Sequence, residues 1–310
     1  MKLHGTMQVN SAGHLEIGGC DATELLEEFG SPLYVMDEAL IRQNCRNYVG
    51  SFRSVYPDSE VIYASKVFST KAICRLIQEE GMGIDVVSAG ELYTALSVKF
   101  PVDRIYFHGN NKSAAELEMA VETGVHRIIV DSFHELELLN SIAAKLGKKA
   151  DILLRLSPGI DAHTHHYIKT GTIDSKFGFC IANGQAMEAI VAAGTYPSLE
   201  LWGVHCHIGS QIFELESYEE AARTMMTFVR DITVKTGKAV RELNLGGGMG
   251  IYYSEEDAPR QIIQYAERVA NTVKACAAEY GLALPKIIVE PGRSIVGEAG
   301  VTLYTIGAIK

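Results

Sequence analysis

The chain has 310 residues, 47% of them hydrophobic and 21% charged, with a net charge of −10 spread along its length; this is the make-up of a soluble globular protein with a large core. There is no Lys/Arg-rich run, so nucleic acid is not an expected partner. No apolar stretch reaches the roughly 18 residues of a membrane span, and the opening "MKLHGTMQVNSAGHLEIGG" lacks the apolar centre of a secretory signal, so no membrane is expected and a cytoplasmic location is.

In chain order, "TMQVNSAGHLEIGG" reads as a hairpin, "DATELLEEFG" as a short helix and "PLYVMD" (32–37) as a strand. Eight β-branched runs follow: "VIYAS" (61–65), "GIDVVS" (83–88), "RIYFHG" (104–109), "RIIVDS" (127–132), "DILLRLSPG" (151–159), "LWGVHCHIG" (201–209), "ELNLGGG" (242–248) and "KIIVEPG" (286–292). Between them lie segments such as "KAICRLIQEEG" and "AAELEMAVETG", whose apolar residues recur at i, i+3, i+4 and i+7. Capping boxes are expected at Ser88/Glu91, Ser113/Glu116, Ser132/Glu135 and Ser217/Glu220. Left-handed caps are expected at Gly81, Gly124, Gly147, Gly194, Gly237 and Gly281. The closing "GVTLYTIGAIK" reads as a strand with no partner after it.

Doubly buried strands alternating with helices predict a parallel sheet, and eight units predict a (β/α)₈ TIM barrel. A doubly wound open sheet is the alternative, but its GxGxxG after the first strand is absent. The predicted divisions are 1–35, strands and a helix of an incomplete β-domain; 36–295, the barrel; and 296–310, the start of a truncated C-terminal β-domain. The six cysteines (Cys20, Cys45, Cys74, Cys180, Cys206, Cys276) are scattered without a CxxC pair and read as reduced thiols.

In such a barrel the chemistry sits at the C-terminal ends of the strands. Here those ends carry Ser65 and Lys66, Asp85, His108 with Asn110 and Asn111, Asp131, Arg155, His205 and His207, Gly246, Gly247 and Gly248, and Glu290 with Arg293. Lys66 is either a surface lysine opening a loop or a desolvated amine for carbonyl chemistry. The three glycines form a tight turn or, at the usual phosphate site of the fold, an anion cradle. His205 and His207 could ligate a metal from one strand face, but nothing completes the shell, so no metal is expected; one imidazole could instead lie flat on an aromatic cofactor. "HTHHY" (163–167) reads as a solvated or substrate-contacting loop. Glu290 either pairs with Arg293 or holds a heteroaromatic nitrogen in its protonated form. One cofactor meets all four demands of amine, cradle, stacking ring and acid: pyridoxal 5′-phosphate.

The stretches "YASKVFSTKAICRLIQEEGMGIDVVSAGEL", "FHGNNKS", "SPGIDAHTHHYIKTGTIDSKFGF", "HCHIGSQI", "NLGGGMGIYY" and "EPGRSIVGEAG" resemble, in order, the motifs of the diaminopimelate decarboxylases. These enzymes have the alanine racemase-like barrel and make L-lysine and CO₂ from meso-2,6-diaminopimelate in the last step of lysine biosynthesis. The resemblance implies that Lys66 forms the Schiff base, that His207 stacks on the ring, and that Ser210, Gly246, Gly247 and Gly248 bind the phosphate. It also implies that Glu290, followed by Pro291 and Gly292, pairs with the ring nitrogen and that Arg293 contacts substrate near the phosphate end. Asp85, Arg155 and Lys176 are implied supports of the site. A homodimer is implied as well. The family's Cys-Glu-Ser motif and its tyrosine, carried in a β-domain about a hundred residues long, do not occur in this sequence. The expectation is therefore poor turnover by this chain, with a non-catalytic pyridoxal phosphate-binding or regulatory barrel as the alternative.

Overall fold

The computed structural model describes residues 3–160 and 176–310 of the chain. Eight parallel strands form the centre: β1 (Ser59–Ala64), β2 (Gly83–Val86), β3 (Ile105–Phe107), β4 (Arg127–Val130), β5 (Ala150–Ser157), β6 (Leu199–His205), β7 (Glu242–Asn244) and β8 (Lys286–Val289). Each pairs with the next, and β8 pairs with β1 through Ile287 to Ser59 and Val289 to Val61, which closes the barrel. The eight runs read from the sequence are these eight strands. A further short strand, Phe179–Cys180, pairs with the end of β5. "HTHHY" (163–167) and most of the stretch around it lie outside the described residues.

The strands are buried on both faces because side chains of alternate residues fill two compartments. Ile62, Tyr106, Ile129, Leu153 and Ile288, with Trp202 against them, come from six different strands and fill the barrel interior. Val61, Tyr63, Ile84, Phe107, Ile128, Leu154 and Val289 face outward onto the surrounding helices.

Across the interior at the N-terminal end, Arg127 at the start of β4 donates from Nε and Nη2 to both oxygens of Glu242 at the start of β7, at 2.8 and 2.7 Å. Both residues are buried. Trp202 lies between the guanidiniums of Arg127 and Arg241, 4.1 and 3.6 Å from its ring centre. Glu242→Ala leaves the buried Arg127 guanidinium, for a carboxylate, only its longer, 3.4 Å contact with the more exposed Asp151. The expected loss is about 3–5 kcal/mol of unfolding free energy, read as a lowered denaturant midpoint at unchanged slope.

Three of the four expected helix starts are found. Ser88, Ser113 and Ser132 each accept from the backbone N–H three residues on, but only Ser113 and Glu116 form the reciprocal box. Glu91 and Glu135 reach past the cap, to the N–H of Val87 and of Asp131. Ser217 is no cap: its helix starts earlier, Leu215–Thr236, with Glu214 at the cap position. Of the six glycines expected in the left-handed region, Gly194 is the exception, with φ −68°.

Strands Gln8–Val9 and Leu15–Ile17 form the expected hairpin, extended by Cys20–Asp21. The C-terminal strand Gly300–Leu303 does have a partner: it runs antiparallel to Leu33–Met36, so both ends of the chain meet beside the barrel. Tyr34, Tyr304, Ile306 and Ile309 remain exposed there. Among the described residues no helix is long and apolar enough to cross a membrane.

Candidate active site

At the C-terminal mouth of the barrel a cavity of about 380 Å³ is lined by Lys66, His207, Ser210, Gly247, Gly248, Glu290, Gly292 and Arg293 among others. Eight positions singled out in the sequence therefore converge on one space of the size that small ligands occupy.

Lys66 sits in a single 3₁₀ turn, Ser65–Val67, that ends β1. Ser65 Oγ donates to Glu91 Oε2 at 2.7 Å, and the same oxygen accepts from Val87 N–H at 2.8 Å. The acid expected to close a capping box thus fixes the turn that presents Lys66. The lysine itself is exposed, so the described residues do not supply the desolvation expected for it.

The glycine run after β7 is shaped by its neighbour. Asn244 is fully buried and accepts the Gly246 N–H on Oδ1 at 3.0 Å; Gly246 has φ +68° and its carbonyl accepts from the Glu290 N–H at 2.8 Å. Gly246 therefore builds the turn and does not line the cavity. The Gly247 N–H donates to His207 Nδ1 at 3.3 Å, which leaves the ring proton on Nε2. A Cβ at Gly247 would overlap the Glu290 carbonyl, so only glycine lets the ends of β7 and β8 approach this closely.

On one wall, Arg293 Nε donates to Ser210 Oγ at 3.1 Å and Nη1 to Tyr253 Oη at 2.8 Å. Arg293 is thus engaged here and not with Glu290, the pairing that proximity in sequence suggested. Tyr253 was not anticipated, because it comes from the loop beyond the glycines and no pattern marks it.

Glu290 is buried and held by three residues. His108 Nε2 lies 2.8 Å and Asn244 Nδ2 2.7 Å from Oε1, while His205 Nε2 lies 3.2 Å from Oε2. Burial alone pushes the Glu290 carboxyl up, but His108 and His205 outweigh it and hold it well below the ordinary range. The two histidines of "HCH" part company. His205, the last residue of β6, points into the barrel beside His108, their rings edge to face at 4.8 Å, whereas His207 lies past the strand at the cavity wall. His108, His205 and Glu290 have ligand atoms within 4.8 Å of one another, a set the sequence did not assemble. Burial pushes the His207 imidazole well below its usual value, so it is neutral.

Asp85, Pro291, Arg155 and Lys176 do not line the cavity. Asp85 is one layer deeper, its Oδ1 3.9 Å from His108 Nε2. Pro291 is buried and accepts the Ala64 N–H on its carbonyl at 3.1 Å, tying β8 to β1. Arg155 is 3.8 Å from Asp131 and stacks 4.2 Å over Phe177, and Lys176 lies 5.1 Å from the same ring.

The buried pair gives a pH signature. Burial, opposed by Glu290, lowers His205 from 6.5 to about 4, so the unfolded chain takes up this proton first and stability falls as pH drops from 6.5 to 4. Burial raises Asp85 from 3.8 to about 6, so its contribution has the opposite sign and returns stability as pH drops from 6 to 3.8. His207, also held below its usual value by burial, loses in the same direction as His205, so Asp85 offsets only part of the fall. Asp85→Asn removes that offset and is expected to deepen the fall in stability between pH 6 and 4 by roughly 3 kcal/mol, and urea unfolding across that range checks it.

The model of the pyridoxal-dependent decarboxylase pyridoxal-binding domain matches residues 39–297. The diaminopimelate decarboxylase of Bacillus methanolicus is 51% identical over the whole chain, which spans 72% of that protein; the one of Bacillus subtilis (strain 168) is 48% identical, with 71% spanned. Among solved structures, diaminopimelate decarboxylase from M. jannaschii in complex with L-lysine superposes with TM-score 0.88 at 37% identity, over 95% of this chain and 68% of that one. The Helicobacter pylori enzyme complexed with L-lysine gives 0.82 at 35%, over 90% and 68%. With the closed barrel, the domain match and relatives at this identity along its whole length, the chain belongs to the diaminopimelate decarboxylase family.

Proposed function

We propose that this chain holds pyridoxal 5′-phosphate in the barrel mouth and removes a carboxylate from meso-2,6-diaminopimelate, giving L-lysine and CO₂. The observation that carries the reading is the convergence of Lys66, His207, Glu290, Ser210 and Arg293 on one cavity. The residues present fit the cofactor. An amine stands at the rim, a neutral imidazole at one wall, a guanidinium with two hydroxyls at another, and an ionised carboxylate at the floor.

When bound, the cofactor supplies an aldehyde and a protonated ring that draws off the electron pair left as CO₂ departs. Lys66 presents the amine that meets the aldehyde. His207 offers a flat face to the ring. Ser210, Arg293, Gly247 and Gly248 line the space for the phosphate, with Gly246 shaping their turn. Glu290 holds a proton on the ring nitrogen through its negative charge, which a neutral residue could not do. Arg293, with Nη1 toward Tyr253, can also contact a substrate carboxylate. The L-lysine in two solved relatives supports a lysine-shaped product. The reading extends to a homodimer, twice 33.8 kDa, which sedimentation checks.

The test is to add pyridoxal phosphate to the 310-residue chain, reduce with borohydride, map the labelled peptide, and assay lysine from the meso isomer beside the LL isomer and ornithine. Label on Lys66 with slow lysine formation, from the meso isomer alone, is expected. Label without turnover would leave a non-catalytic cofactor-binding barrel, and label elsewhere would overturn the site.

A further inference from the structure

Arg293 takes its two partners from two different loops: Ser210 stands beyond β6, and Tyr253 beyond the glycines that follow β7. Loops that leave separate strands keep a common spacing only where something ties them. Backbone does part of this. The Ile212 N–H donates to the Gly248 carbonyl and the Gly250 N–H to the Ile212 carbonyl, both at 2.9 Å, forming one parallel bridge beyond the barrel strands. The side chain of Gln211 adds the second tie. Its Nε2 donates to the Ile251 carbonyl at 2.8 Å, and its Oε1 accepts the Ile251 N–H at 3.0 Å. One amide thus satisfies both backbone groups of one residue, as a neighbouring strand would.

Gln211 holds φ +59°, a conformation that few side chains adopt and that persists where the surroundings fix it, most often beside ligand sites. The turn sends the Gln211 amide to Ile251 while Ser210, the residue before it, lines the cavity. Ile251 is buried, and its Cδ1 lies against Gly297, whose N–H donates to the Arg293 carbonyl at 2.7 Å. Two positions on, Tyr253 Oη accepts from Arg293 Nη1. Ile251 therefore touches the turn that carries Arg293 and leads into the tyrosine that holds it. We infer that Gln211 is a positioning residue: by clamping Ile251 it keeps Ser210 and Tyr253 at a fixed span and aims the Arg293 guanidinium at an anionic group in the cavity. With Nε and Nη1 engaged, Nη2 has no partner among the described residues and is the edge left for that anion. The anion is a phosphate of the cofactor or a carboxylate of the substrate. The inference rests on the proposed cofactor and goes beyond it, since it gives control of the arginine to a residue that does not line the cavity.

The test needs no turnover and has two arms. The first compares pyridoxal phosphate with pyridoxal, by the concentration of each that half-labels Lys66 under borohydride, so the preference between them reports the phosphate. The second compares L-lysine with 1,5-diaminopentane, by the concentration of each that halves the Lys66 label on the loaded chain, so the preference reports the carboxylate. Gln211→Gly suits the backbone but has no amide, and Gln211→Met keeps the reach without it. Both are expected to lower one or both preferences about tenfold, the worth of a hydrogen bond to a charged group. A fall in the first arm assigns the open edge to the phosphate, and a fall in the second assigns it to the substrate carboxylate.

A general loosening of the fold would weaken all four ligands alike and leave both preferences as they are. Arg293→Met should show the same fall as the Gln211 variants, and adding Gln211→Gly to it should lower the preference no further, because the two residues act as one unit. Should Gln211→Met not fold, Gln211→Gly decides alone. Parent preferences in the folded Gln211 variants or in Arg293→Met, or a second full fall in the double variant, overturn the inference and leave the cofactor site standing. Failure to label Lys66 in the parent overturns both.

Discussion

Lys66→Ala is expected to lower lysine formation by on the order of 10³-fold or more and to abolish the borohydride label, with little change in thermal stability. Lys66 is the one lysine among the described residues lining the cavity. It is exposed, and surface substitutions of this kind stay within about 0.5 kcal/mol of the parent. Loss of chemistry without loss of fold therefore separates a reacting amine from a structural one. Lys66→Arg sharpens the result, because it keeps the charge at the rim but offers no amine that can deprotonate and attack. The arginine variant should be as inactive as the alanine variant. Activity within tenfold of the parent in either would place the chemistry elsewhere.

The sequence revealed the barrel because each strand announces itself by a β-branched run and each helix by its period, both local signals. Lys66, His207, Glu290 and the glycines were legible for a related reason: the fold puts strand ends at one mouth, so counting strands is enough to gather them. What holds Glu290 was not legible. Asn244 looks like one polar residue in an apolar run, and only closure of the barrel brings its amide to Glu290, 46 positions away. The nearer base, Arg293, was the natural candidate by sequence distance, yet the turn after β8 swings it to Ser210 and Tyr253. His205 and His207 look equivalent as a pair because strand alternation suggests a shared face. The strand in fact ends at His205, and alternation ends with it. Ser217 misled for a similar reason, since a capping pattern is just as visible one turn inside a helix as at its start.

Glu290→Gln is expected to reduce turnover by about 10²–10³-fold while pyridoxal phosphate still binds and Lys66 is still labelled. The substitution keeps the shape and removes the charge, and the surrounding donors dictate how the amide must lie. Asn244 Nδ2 donates at the Oε1 position, so the amide oxygen belongs there. That places the NH₂ at the Oε2 position, where it meets His205. The neutral imidazole can move its proton to Nδ1, now unpartnered, and accept on Nε2, so the packing survives at modest cost. The cavity then meets a neutral amide where the wild type offers a carboxylate. A ring nitrogen without an anion beside it keeps its proton less well, and a ring without that proton draws off the departing electron pair less well. The loss should therefore fall on kcat and leave KM for the substrate nearly unchanged, because Glu290 acts on the ring and not on the substrate carboxylate. Glu290→Asp tests the same geometry from the other side. It keeps the charge but withdraws it from the three residues around it and from the cavity, so a Glu290→Asp variant as slow as Glu290→Gln would show that placement matters as much as charge. Full activity in Glu290→Gln would mean that another group holds the ring proton, and Glu290 would then be a structural acid buried among its donors.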